Sequence, residues 1–373
     1  MNLFKSYFQG GFECADHLNR HGARVNMLHE TQHDVRVAED YRLLTELGIR
    51  TVREGICWSA VERAPGIYDF SEVIRRIRAA EPYGIQQIWD LVHFGYPDGL
   101  FPTHPQFTAR FEALCRAFVR IYRENSDETL FVVPINEISY LSWWSGEDRG
   151  TVPYAVHSGW DQKYHLCKAA IRGIQALKEE DPGCRTVLVE PLVKVHSRDG
   201  CPEELKRRNA HQYEAMDIIA GRLCPELGGQ EDFLDILGFN YYWNSQWEGN
   251  AQSLPWPDPD QRRTPLHLMI TEAYERYRRP MFLSETGHFG NGRIEWLDEV
   301  AAECLLAART GVDFHGICIY PVTDRPDWDQ LHVRSQCGIF DLDPEGNRMI
   351  CPGFAEALAR HRADAEHSET AII

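Results

Sequence analysis

The sequence predicts an α/β protein built as a single-domain (β/α)8 TIM barrel. Three observations carry that expectation. Eight short apolar runs recur along the chain, and segments with helical spacing follow them. The length of 373 residues suits one barrel with extended loops. The runner-up, a doubly wound sheet, wants a Gly-rich turn after its first strand to cradle a dinucleotide, and the sequence offers none.

The runs come in order. KSYFQGGF (5–12), RTVREGIC (50–57), IQQIWDLVHF (85–94) and TLFVVPIN (129–136) predict the first four strands. RTVLVEPLV (185–193), LDILGFNYY (234–242), RPMFLSE (279–285) and FHGICIY (314–320) predict the last four. Helical spacing marks 36–48, 71–84, 107–125, 165–183, 203–223 and 294–311, and several of these end at glycine. Strands alternating with helices imply a parallel sheet covered by helices. The barrel is expected over 1–361, with 362–373, RADAEHSETAII, as a loosely held polar tail.

Composition narrows the function. With 43% hydrophobic and 25% charged residues the chain reads as soluble and globular. A net charge of −17 argues against nucleic acid and anionic membrane surfaces as partners. The N-terminal stretch lacks the apolar core of a secretory signal, and no segment has the length of a membrane span. The 11 cysteines are odd in number and scattered, with no CxxC pair, and read as reduced, mostly buried thiols of a cytoplasmic protein. The oligomeric state is not legible.

LHETQH (28–33) contains the His-Glu-x-x-His spelling of zinc peptidases. A zincin needs a helix through the motif and a third ligand downstream. Here the helical pattern starts near Arg36 and no Gly-x-x-His continuation follows, so no metal and no cofactor is expected. His33 then belongs to the loop leading into the first helix, and His17 and His21 to loops or substrate-facing positions.

In a barrel the chemistry sits where strands end. Those ends offer Arg53 and Trp58, Asp90 and His93, Asn136 and Glu137, Asn240 and Tyr242, Glu285, and Tyr320 followed by Asp324, Asp327 and Trp328. A glutamate after one strand is ordinarily a solvated loop residue. Glu137 and Glu285 each close a strongly apolar strand, the fourth and the seventh, which face each other across a closed barrel mouth. Glycoside hydrolysis needs such a pair: one acid protonates the departing oxygen and the other attacks the anomeric carbon, at about 5 Å separation when configuration is retained. Glu137 as acid needs a raised pKa, and Glu285 needs donors to stay ionised, for which Arg53 and Tyr242 are suitable. Trp58, Trp89 and Trp243 read as core or wall residues.

These residues resemble the family 1 β-glycosidases, within the clan of barrel glycosidases whose acid/base and nucleophile end strands four and seven. VREGICW, DLVHFGYP, INE, LGFNYY, LSETG, YPVTDRPDW and CGIFDLD follow the family's motifs in order over most of the chain. His33, Arg36, Glu39 and Asp40 match a family stretch before the first helix. The resemblance implies a retaining, exo-acting β-glycosidase working by double displacement on small glycosides or oligosaccharides. It implies Glu137 as general acid/base, Glu285 as nucleophile and Asn136 on the sugar 2-hydroxyl. Arg53 and Tyr242 would hold Glu285, His93 and Asp327 glycone hydroxyls, and Tyr320 and Trp328 an apolar platform, with Asn240 beside them.

The chain departs from the family at Ile138, where the family has Pro, at Tyr320 for Trp, and at Asp327 for Glu. Gln9 or Glu13 stands in for the strand-one glutamine. These changes spare the catalytic pair and point to an altered sugar preference, compatible with a divergent, related family. A transglycosidase and a catalytically silent sugar-binding barrel remain the alternatives.

Overall fold

Each apolar run folds as a strand shorter than itself, and in all but the seventh the last residues leave the sheet to form the barrel mouth. The computed structural model describes residues 3–197, 202–249, 252–257 and 260–370. The barrel strands are β1 (Phe8–Gly11), β2 (Thr51–Gly55), β3 (Gln86–Asp90), β4 (Phe131–Val133), β5 (Arg185–Pro191), β6 (Ile236–Asn240), β7 (Met281–Thr286) and β8 (Phe314–Ile319). Each pairs in parallel with the next, and β8 pairs with β1, closing the expected (β/α)8 barrel.

Alternation along the strands divides the core in two. Ile88, Phe131, Val133, Val187, Val189, Ile236, Phe282 and Cys318 fill the barrel interior, with Phe4 among them. Phe4 packs its ring at a tilt against Phe131 and edge-on to Phe282. The other faces, including Val52, Trp89, Val132, Leu188 and Leu237, join the larger cluster under the helices.

The surrounding helices are α1 (His33–Glu46), α2 (Ser71–Ala80), α3 (Phe107–Asn125), α4 (Ile138–Gly146), α5 (Gly159–Glu180), α6 (Pro202–Ala210), α7 (Glu214–Ile219), α8 (Leu266–Tyr277), α9 (Arg293–Arg309) and α10 (Phe354–Thr370). Four points differ from expectation. The 203–223 helix breaks into α6 and α7, because the Asn209 and Gln212 side chains hydrogen-bond the backbone at Val195 and Val193. Helix α4, ISYLSWWSG, has no polar face and therefore no amphipathic signature. Helix α8 carries a legible stripe at Leu266, Met269, Ile270, Ala273 and Tyr277, which the sequence reading passed over. Helix α10 runs past residue 361, so the tail expected to be loose is helical as far as Thr370, with Ala365 buried; residues 371–373 lie outside the described residues.

The ten described cysteines are free thiols, nine of them buried, as expected; Cys201 lies outside the described residues. Among the described residues no helix is long and apolar enough to cross a membrane.

Candidate active site

A cavity of about 980 Å³ opens over the C-terminal ends of the strands. Glu13, His93, Glu137, Asn240, Tyr242, Glu285, Tyr320 and Trp328 line it. The site expected from the strand ends is therefore largely one place.

Glu285 reaches it through an irregularity. Phe282 points into the barrel, so strict alternation turns residue 285 outward. The β7–β6 register shifts between Leu283 and Glu285, and Glu285 comes level with Asn240. A bulge of this kind re-aims a side chain at the cost of one ladder step. Both Glu285 oxygens then find donors: Arg53 Nη1 lies 2.8 Å from Oε1 and Tyr242 OH 2.8 Å from Oε2.

Arg53 is the hub beneath the cavity. It is 1% exposed and also donates to Ser284 O at 2.8 Å, Asp90 Oδ2 at 2.5 Å and Asn136 Oδ1 at 3.1 Å. Holding the Asn136 oxygen orients its amide nitrogen, which is buried with no protein partner. Asn240 is held by its oxygen as well, which accepts from Ser284 Oγ at 2.7 Å and turns the amide nitrogen toward the Glu137 carboxyl. Buried donors are normally satisfied, so the Asn136 nitrogen, without a partner among the described residues, marks a place where a polar ligand fits.

Glu137 stands on the residue before α4, with φ 46° and ψ 59°. This left-handed backbone is strained for a residue other than glycine, at a cost on the order of 1 kcal/mol. Its N–H donates to Val189 O at 2.9 Å and its carbonyl accepts from Leu141 N at 2.8 Å. Burial raises its pKa well above the ordinary carboxyl value, and the Glu285 charge adds to this; Asn240 and Arg53 offset part of it. The second acidic partner, Glu190 of β5, is itself pushed up to about 7 by burial.

On the opposite wall His93 Nδ1 lies 2.9 Å from Asp90 Oδ2, and its ring stacks on Tyr320 with centroids 5.7 Å apart. Burial opposes charge on His93, but Asp90, with Glu13 and Glu285, outweighs it and raises the pKa. Tyr320 fits because β1 has Gly11 there: a Cβ would fall 2.2 Å from the Tyr320 ring. Tyr320 is thus wedged against β1, 4% exposed, and presents only part of its ring to the cavity.

Three expected residues do not line the cavity: Arg53 and Asn136 lie buried beneath it, and Asp327 turns elsewhere. Its carboxylate accepts the backbone N–H groups of Asp329 and Gln330, both at 2.9 Å, and organises its own turn. Asp324 likewise holds the N–H groups of Arg325 and Cys337. The polar wall is instead Glu13 and Arg325, paired at 3.1 Å. Glu13 was one of two candidates for the strand-one position; the other, Gln9, is buried in the barrel away from the cavity lining. Arg325 was missed because nothing in its spacing distinguishes it. Trp328 meets Trp144 and Phe94 and lies under the Arg325 guanidinium, 5.2 Å from its ring. Trp243 lines the cavity wall, whereas Trp58 and Trp89 are core.

The His-Glu-x-x-His stretch serves the barrel wall. His33 opens α1 instead of lying in the loop before it. It stacks on Phe12 and sits 2.7 Å from Asp40 and 2.9 Å from Glu54. His29 is exposed and turned to Asp34. The two histidines therefore address different carboxylates. His17 is buried edge-on to Trp144 and Trp328, while His21 is exposed.

No protein-family model matches the chain. A 6-phospho-β-glucosidase of Clostridium longisporum is 21% identical over 384 residues, covering 83% of this chain and 79% of that protein. A family 1 β-glucosidase from Thermotoga maritima superposes with a TM-score of 0.78 at 14% identity, over 97% of this chain and 99% of that one. The fold is that of the family 1 β-glucosidases. A second structure, β-glucosidase from Thermotoga maritima in complex with methoxycarbonyl-substituted glucoimidazole, gives 0.74 at 15% identity, over 89% and 87% of the two chains. The resemblance drawn from the motifs thus holds for the fold over nearly the whole chain.

Proposed function

We propose that the chain is a retaining β-glycosidase that cleaves small β-glycosides by double displacement, with Glu285 as nucleophile and Glu137 as general acid/base. One observation carries the reading: two glutamates line one cavity in opposed environments. Glu285 is gripped by a guanidinium and a phenol, which suits an ionised nucleophile. Glu137 is half-buried in the cavity wall with its pKa raised, which suits a proton donor.

The unpartnered Asn136 amide supports a role on a sugar hydroxyl next to the reacting carbon, where contacts strengthen in the transition state. Beside Glu13 the wall favours an uncharged glycone, because Arg325 is committed to that carboxylate. A phosphorylated sugar, as the name of the Clostridium longisporum relative suggests, would have to reach Arg208, which lines the cavity and donates only to the neutral Gly249 carbonyl among the described residues.

The test is a panel of aryl β-glycosides, neutral and 6-phosphorylated, followed by proton NMR of the first-formed product. Hydrolysis of neutral members with the β-anomer released first supports the reading. An α-anomer first would mean inversion and a different role for Glu285. Strict preference for 6-phosphorylated substrates would overturn the neutral glycone. Sugar binding with no turnover on any member would favour a silent binding barrel.

A further inference from the structure

We propose that Glu190 is a positioning residue for Glu137, clamping the strained turn that carries it and keeping a negative charge behind it. The inference rests on the glycosidase reading above. Glu190 lies next to the end of β5, on the Leu188 face, 3% exposed. Its two oxygens accept the Ser139 N–H at 3.2 and 3.1 Å, and the Ile138 N–H also favours its carboxylate. The neighbouring Val189 carbonyl accepts the Glu137 N–H. Two successive residues of β5 thus hold the backbone on both sides of Glu137.

That backbone needs holding. A glutamate at φ 46° persists only where its surroundings over-determine it. The first N–H groups of α4 have no partner within the helix, and a carboxylate is the acceptor best matched to them. Ile138 matters here, because it has an N–H where a proline has none. Glu137 is faced by Glu285 of β7, Glu190 of β5 and Arg53 of β2. Tyr140 of α4 and Tyr242, past the end of β6, also face Glu137, and Glu190 is faced by Glu137 and by Lys163 and Cys167 of α5. Above about pH 7, where Glu190 is itself ionised, its charge opposes deprotonation of Glu137 and so keeps the proton donor loaded to higher pH.

The sign of the effect follows. Removing the Glu190 charge lets Glu137 lose its proton more easily, so the basic limb of kcat/KM moves to lower pH. The glutamine variant also replaces an acceptor by an amide NH2 facing the Ile138 N–H, and loosens the turn. A misplaced acid matters only when the leaving group needs protonation.

The experiment compares wild type with Glu190→Gln and Glu190→Asp on two β-glycosides of one sugar, one with a nitrophenyl and one with an alkyl leaving group. Glu190→Gln is expected to lower kcat/KM for the alkyl glycoside roughly tenfold or more, with a much smaller loss on the nitrophenyl glycoside. Its basic limb should fall by a measurable fraction of a pH unit. Glu190→Asp, which keeps the charge but withdraws it by one methylene, should lie between, and carries the same leaving-group test if the glutamine variant does not fold. Equal losses on both leaving groups with an unmoved basic limb would make Glu190 a purely structural residue. If the wild type turns over neither glycoside, the glycosidase reading fails and takes this role with it. An active wild type with indifferent variants overturns the role of Glu190 alone.

Discussion

Arg53 and Tyr242 each take one oxygen of Glu285, both at 2.8 Å, and they reach it from strands four positions apart around the barrel. The carboxylate therefore has little freedom to rotate, and its attack geometry is set before substrate arrives. Tyr242→Phe removes one donor while keeping the ring. It is expected to lower kcat by roughly 10²-fold with folding preserved, read from steady-state kinetics and a thermal melt. Arg53→Met is expected to behave differently. It leaves Asp90 and Glu285 buried without their cation and should cost about 3–5 kcal/mol in urea unfolding. A soluble, fully stable Arg53→Met protein would contradict the hub role.

The two glutamates separate by azide rescue. Glu285→Ala should abolish turnover, because no covalent intermediate forms. Azide added to it should enter from the vacated face and give the inverted glycosyl azide. Glu137→Ala should keep a first step on an activated aryl glycoside and stall at the second. Azide needs no base, so it should restore turnover there with retained configuration. Swapped responses would reverse the two roles.

A pH dependence of stability follows from the buried cluster behind β2. Glu54 accepts from Tyr41 at 2.5 Å and from Arg76 at 2.7 Å, and His33 lies 2.9 Å away. Burial alone raises its pKa, but His33 and Arg76 outweigh that and bring it down to about 2 from 4.5. A depressed carboxyl contributes stability that is present above its unfolded pKa and lost as pH falls through the folded one. The urea midpoint should therefore drop between pH 4.5 and 2, by an amount equivalent to about 3 kcal/mol. A flat midpoint over that range would mean that Glu54 is not held ionised.

Gly11 tests the wedge on Tyr320. Gly11→Ala places a methyl 2.2 Å from the ring, and Tyr320 is the neighbour that has to move. Loss of about 1–3 kcal/mol of stability is expected from overpacking. Because Tyr320 OH lies 3.2 Å from His93 Nε2, KM for the glycoside should rise as well. Tyr320→Phe, which keeps the ring and drops the hydroxyl, should change KM without the stability loss.

The eight strands were legible because barrel strands are buried on both faces, so each is a continuous apolar run that needs no partner to be recognised. The ends of those runs also marked Glu137, Glu285, Arg53, His93, Asn136, Asn240 and Tyr242, since polar residues at such places have few structural uses. Helix α4 was not legible, because a helix apolar on every side has no period to read. The inward turn of Glu285 was decided by the β7 register shift, which pairing with β6 creates and the sequence of β7 alone does not encode. Asp327 kept the expected spacing yet turned to its own loop, because beyond a strand end the hydrogen bonds of a turn set side-chain direction and two-residue alternation no longer applies. Glu13 and Arg325 lie more than 300 residues apart and met only when β8 closed against β1. Local order was written in the residues, while every choice of which polar group faces which was made by barrel closure, which brings distant strand ends to one mouth and leaves each side chain only the space its neighbours do not fill.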